Sequence, residues 1–185
     1  ADPRAGATVR AGGVAHVNSS SQSPTPAAVT LRTLPGDLVT PAAAYLRLRP
    51  LGAFALLESA EHDGRLARYS FLGVGVARSV RIDDVMTFAG DPFAAVAALI
   101  RPEQRMPGSP LCGAAIGMFA FETFRRIETV PGPAPRPIAF PDVWFAVAEV
   151  VVTFDHFRRE ISIAALPGGP AARVRAIEEA LASGG

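Results

Sequence analysis

The chain has 185 residues, 18 Lys+Arg against 17 Asp+Glu, a formal net charge of +1 and 49% hydrophobic residues, the profile of a single globular domain. Every basic residue except histidine is an arginine, and these are dispersed among nearly as many carboxylates, so there is no basic block of the kind that follows a phosphate backbone and no nucleic-acid partner is expected. Glu149 interrupts the richest apolar run, at residues 144–154, leaving nothing near the roughly 18 residues of a membrane span; Cys112 is the only cysteine, which excludes an internal disulfide and a cysteine-based zinc site and fits a reducing, cytoplasmic compartment.

Residues 1–28 are mostly Gly, Ala, Ser, Thr, Pro and Arg without apolar periodicity. They are expected to form a disordered leader, because they offer too little apolar surface to offset the entropy of ordering. The folded domain is expected over residues 29–185. It opens with a strand at 29–34 and a turn at Pro35, Gly36 and Asp37. Thr40-Pro41 then starts a helix, with an N-cap hydroxyl and a first-position proline, and Pro50 ends it.

Residues 54–59 and 67–73 read as two strands around a polar turn containing Asp63-Gly64. The first of them is apolar until it closes on Glu58 and Ser59. A carboxylate and a hydroxyl at that place need backbone, water, another side chain or a ligand to meet them. Strands are expected at 74–82 and 85–89 on either side of Asp83-Asp84, followed by a helix from Asp91-Pro92 to about Ile100. Residues 111–124 are apolar, and Gly113 and Gly117 within them predict a strand that passes close to another backbone or to a ligand. Five prolines between 131 and 141 make a loop. A long strand at 142–155 and a return strand at 160–166 form a hairpin, and the last helix places Val174, Ile177 and Leu181 on one face.

No nucleophile stands in a catalytic context. His16 falls in the leader, while His62 and His156 fall in turns. Cys112 opens an apolar strand with no adjacent base and is expected to be buried. Glu149, inside a buried-type strand, is expected to face solvent. The high apolar content also allows an exposed sheet or helix face that awaits a partner.

Several segments resemble one family in the same order. They are Asp37-Leu38-Val39-Thr40-Pro41 with Tyr45, Leu56-Leu57-Glu58-Ser59, Arg68-Tyr69-Ser70-Phe71-Leu72-Gly73, the glycine-containing strand, and Pro141-Asp142-Val143 through Phe154-Asp155-His156. Together they are similar to the N-terminal domain of anthranilate synthase component I, a chorismate-using enzyme of tryptophan biosynthesis, and to its relative aminodeoxychorismate synthase component I of folate biosynthesis. The resemblance runs from Leu34 to the end of the sequence. It implies an α+β fold, largely antiparallel sheet with outer helices, forming half of a four-layer α/β/β/α orthogonal sandwich.

The same resemblance implies that catalysis and Mg2+ belong to a chorismate-binding domain, which is absent from these residues. It also implies a glutamine amidotransferase subunit as a partner and L-tryptophan as a feedback inhibitor. Glu58 and Ser59 are the implied tryptophan-binding residues, with Arg68 as a basic counterpart; no catalytic or metal-binding residue is expected in this chain. Ala114, Met118, Ala120 and Phe121 stand where the family usually shows glycines and tyrosines, which implies either a drier, apolar setting for that strand or a hydrogen-bond network that has been dismantled. Other readings of the chain are a stand-alone amino-acid-binding module and a degenerate structural remnant.

Overall fold

The computed structural model describes residues 31–58, 68–106, 108–129, 131–132 and 139–183. The expected leader and Ser59, His16 and His62 lie outside the described residues. The described chain is α+β. Six strands, β1 (Leu31–Pro35), β2 (Ala53–Glu58), β3 (Tyr69–Ile82), β4 (Ala115–Phe119), β5 (Val143–Asp155) and β6 (Glu160–Ala165), form one antiparallel sheet. Three helices, α1 (Pro41–Leu48), α2 (Pro92–Ala97) and α3 (Ala171–Ala182), accompany it.

The sheet order is β1-β6-β5-β3-β2, with β4 on β5. β5 is therefore the spine. Its first half pairs with β4 and its second half with β6, while β3 runs along its whole length on the other edge. Alternate residues of a strand point to opposite faces, and β5 uses both. Val150, Val152 and Phe154 enter a core with Leu72, Val74, Ile161 and Ile163 of the sheet, Ala44 and Leu48 of α1, and Val174, Ile177 and Leu181 of α3. Val143 and Val147 enter a second core with Val80, Ile82, Val85, Val96 and Leu99. Each of the larger side chains among them contributes about 1.5–3 kcal/mol by leaving water.

Both predicted cap chemistries are present. Thr40 Oγ1 accepts from Ala43 N at 3.2 Å with Pro41 in the first turn, and Asp91 Oδ1 accepts from Phe93 N at 2.9 Å with Pro92 following. The expected Val174, Ile177 and Leu181 face of α3 is buried. Gly117 pairs with Phe145, and a Cβ there would stand 2.0 Å from Trp144 O, the close backbone approach that its sequence context predicts.

Four sequence expectations are corrected. Residues 74–82 are not a strand of their own but the second half of β3, which continues through a bulge between Val76 and Arg78. Residues 85–89 form no strand, because their backbone bonds go elsewhere: Val85 N donates to Asp142 Oδ2 and Met86 N to Asp84 Oδ1, each at 2.8 Å. α2 stops at Ala97 rather than Ile100, and the carbonyl of Leu99 accepts two bonds from Arg78 at 3.1 and 3.0 Å. The expected strand at 111–124 is only Ala115–Phe119; before it lie turns closed by Cys112 and Ala114 N–H groups, and after it a 3-10 helix, Phe121–Arg126, anchored where Thr123 Oγ1 donates to Asp142 O.

Glu149 also departs from expectation. Instead of facing solvent alone, it pairs with Arg173 of α3 at 2.7 Å. Phe121 is 75% exposed, so the missing tyrosine hydroxyl there does not mark a dry environment. Cys112 is buried as expected, and that burial pushes its thiol pKa up, away from the reactive thiolate.

Candidate functional site

The predicted site residues that are described, Glu58 and Arg68, sit at the same end of the sheet. Glu58 closes β2, and the antiparallel register sets it opposite Ser70 of β3. Ser70 in turn lies opposite Phe154, Phe154 opposite Ile161, and Ile161 opposite Leu34. Directly paired residues share a face, and the row two residues earlier, Leu56, Leu72, Val152 and Ile163, packs under α1 and α3. Glu58 therefore belongs to the helix-covered face. β2 is the edge strand and Glu58 is exposed, so the core row ends in a carboxylate open to solvent.

Arg68 stands just before β3. Its guanidinium meets Asp155 at the end of β5, with Nη2 2.6 Å from Oδ2 and Nε 3.1 Å from Oδ1. The rings of Tyr69 and Phe157 flank the cation at 4.8 and 5.7 Å, a favourable arrangement for guanidinium. Hydrogen bonding to Asp155 raises the Arg68 pKa above its ordinary value. Reciprocally, Arg68 lowers the Asp155 carboxyl from 3.8 to about 2, helped by the backbone N–H groups of Arg158 and Phe157. The predicted basic counterpart is thus engaged in holding the β5–β6 turn, while the Glu58 side chain has no hydrogen bond or ion pair among the described residues.

Sequence reasoning missed the pair next to Glu58. Ser70, 3% exposed, has its Oγ 2.8 Å from His156 Nε2. The His156 backbone N–H also donates to Arg68 O at 2.9 Å. Phe154, Asp155 and His156 line a cleft of about 380 Å³ together with residues 36–41 and with Arg159 and Glu160. That cleft is closed at one side where Gly36 N donates to Arg159 O at 2.7 Å. A Cβ on Gly36 would meet Arg159 C at 2.9 Å, so the contact needs glycine.

Among the described residues, no group of three or more His, Cys, Asp or Glu side chains is placed to hold a metal ion. No helix is long and apolar enough to cross a membrane. Cys112 faces no base, and His156 is committed to Ser70.

No family model matches the chain. Among curated proteins, it is 36% identical to anthranilate synthase component 1 of Thermus thermophilus over 146 residues, covering 74% of this chain and 31% of that protein. It is 31% identical to the same component of Mycolicibacterium smegmatis over 152 residues, covering 73% of this chain and 29% of that one. The chain thus spans about three tenths of the length of these relatives. Among solved structures, anthranilate synthase component I of Streptococcus pneumoniae aligns with a TM-score of 0.50 at 19% identity, over 87% of this chain and 36% of that one; the likeness is one of fold.

Proposed function

The chain belongs to the anthranilate synthase component I family, and we propose that it serves as the N-terminal regulatory and structural portion of such an enzyme of tryptophan biosynthesis. The observation that carries this reading is the 36% identity over 74% of the chain against only 31% of the relative. In the assembled enzyme, chorismate is aminated and loses pyruvate to give anthranilate, with ammonia from a glutamine amidotransferase subunit. This portion supplies no catalytic group. Magnesium is assigned to the chorismate-binding portion.

Two features support the division of labour. Aromatic side chains stand partly uncovered around β4 and the 3-10 helix after it: Phe93, Phe119, Phe121 and Phe124 are 38–75% exposed, with Phe93 and Phe119 in ring contact at 5.1 Å. Such a patch suits burial against the rest of the enzyme. The Glu58 side chain, without a partner among the described residues at the edge strand, suits the ammonium group of tryptophan as inhibitor, since a carboxylate accepts the charge-assisted hydrogen bonds an ammonium donates. The enzyme is assigned to the cytoplasm.

The test is inhibition of the assembled enzyme by tryptophan. Glu58→Gln keeps the shape of the side chain and removes its charge, so the inhibition constant is expected to rise at least about tenfold, as befits a hydrogen bond to a charged group. An unchanged inhibition constant would remove Glu58 from the site.

A further inference from the structure

We propose that the open edge of β4 is the seam at which the chorismate-binding portion joins this one: a strand of that portion pairs with β4, and its apolar side chains cover the phenylalanines around it. This rests on the reading of the chain as one portion of a longer enzyme. β4 pairs with β5 over residues 115–119 and with no other described strand. Successive residues of an antiparallel strand send their N–H and C=O groups to alternate sides, so part of the β4 backbone faces away from β5. Among the described residues, none of 115–119 makes a backbone bond outside that ladder.

The other outer edges of the sheet are guarded against a further strand in the ways natural sheets use, by charge, proline or a bulge. β1 carries Arg32 and ends on Pro35. β2 has a register shift between Ala53 and Ala55 and ends on Glu58, and the half of β3 beyond its reach carries Arg78 and Arg81. β4 reads Ala-Ile-Gly-Met-Phe and runs in unbroken register with β5. With no charge, no proline and no bulge, it is the edge left able to accept a strand.

The rings beside β4 form ring-to-ring contacts rather than isolated exposures. Phe93 meets Phe119 at 5.1 Å, Phe119 meets Phe145 at 4.7 Å, and Phe121 stacks on Phe124 at 6.3 Å. The segment that carries them is held in place: Thr123 Oγ1 donates to Asp142 O at 3.0 Å, and Arg126 donates to the carbonyls of Val85 and Gly90 at 3.3 and 2.7 Å. Rings fixed in this way bind without first being ordered. An uncharged edge beside exposed aromatic rings has the composition of a permanent interface, a core cut in two, rather than that of a partner that comes and goes. The chain matches only 31% of the Thermus thermophilus relative, so that relative carries on the same polypeptide a long further stretch of the kind such a permanent interface needs.

The experiment measures hydrogen exchange of this chain alone and in the assembled enzyme, and its affinity for the chorismate-binding domain by titration calorimetry. The variants are Met118→Lys, which puts a charge on the edge strand, Phe121→Glu, which puts one among the rings, and the control Phe157→Glu, at an 83% exposed phenylalanine beyond the opposite end of β5. Assembly is expected to slow exchange within residues 115–119 at least about tenfold and to leave residues 31–35 unchanged. Met118→Lys and Phe121→Glu are each expected to weaken binding at least about tenfold, as loss of an interface anchor does, and Phe157→Glu by less than about twofold. Melting curves recorded alongside confirm that the proteins compared are folded. Binding that survives either Met118→Lys or Phe121→Glu, an equal loss with Phe157→Glu, or unchanged exchange at 115–119 would overturn this inference and leave the reading of the chain as one portion of the enzyme standing. So would a loss confined to self-association or to binding of the amidotransferase subunit. No binding of the wild type to the chorismate-binding domain would overturn that reading and this inference with it.

Discussion

Arg68 and Asp155, 87 residues apart in sequence, meet at 2.6 Å and tie the first residue before β3 to the turn that follows β5. The carboxylate does three things at once: it pairs the cation and accepts the N–H groups of Phe157 and Arg158 at 3.1 and 3.0 Å. A residue expected to face a ligand is thereby part of the frame that orders this end of the sheet.

Acid should loosen this clamp within a defined range. The Asp155 carboxyl is lowered from 3.8 to about 2 in the folded protein, so the folded state binds its proton less readily than the unfolded state. A depressed carboxyl contributes stability fully above pH 3.8, and that contribution is lost as pH falls through about 2. Asp155→Asn removes the titration. Thermal melts between pH 2 and 7 are expected to show the wild type losing more of its melting temperature below pH 3.8 than Asp155→Asn does; parallel curves would show that the clamp does not contribute.

Gly117 gives a sharper test of the sheet. A methyl group there would lie 2.0 Å from Trp144 O and 2.5 Å from Phe145 Cα, both backbone atoms of the spine strand. Neither can rotate away as a side chain would, so β4 must part from β5. Gly117→Ala is expected to cost about 3 kcal/mol or more in chemical denaturation, at the upper end of overpacking effects. A cost below about 1 kcal/mol would mean that β4 does not pack as described.

Arg173 and Glu149 join α3 to the middle of β5. Arg173 Nε is 2.7 Å from Glu149 Oε2, and Arg173 Nη1 donates to Leu51 O at 2.6 Å. The pair also fills the space beside Gly75, whose φ of +68° and contacts leave no room for a side chain. Arg173→Met is expected to destabilise by about 1–3 kcal/mol, less than a fully buried pair would, because both side chains keep some contact with water. In a double-mutant cycle with Glu149→Gln, the two losses should not add; full additivity would contradict the coupling.

The sequence made the strand and helix framework readable where one physical signal dominated. A long β-branched and aromatic run marked β5 and the hairpin return marked β6, and Thr40-Pro41 and Asp91-Pro92 marked helix starts because caps are local chemistry. Residues 85–89 misled for the opposite reason. Their apolar, strand-like composition is real, but Val85 N answers to the side chain of Asp142, 57 residues away, and no local pattern reports that. The site divided in the same way. Glu58 was legible as a polar end to an apolar strand, and the resemblance gave it a role. Ser70 and His156 were not, because the bond between them spans 86 residues and depends on the β3–β5 register. A serine in a strand and a histidine in a turn carry no sign of each other until that register is known. Glu149 failed similarly, since alternation indicates which way a side chain points but not that Arg173 of α3 reaches it.

The most direct test of the account is anthranilate fluorescence from chorismate, ammonia and magnesium, recorded for this chain alone, for a chorismate-binding domain alone, and for the two mixed. The account predicts no product from this chain, and product from the mixture well above that of the chorismate-binding domain by itself. Product from this chain alone, or a mixture no more active than the chorismate-binding domain with both proteins folded, would contradict it.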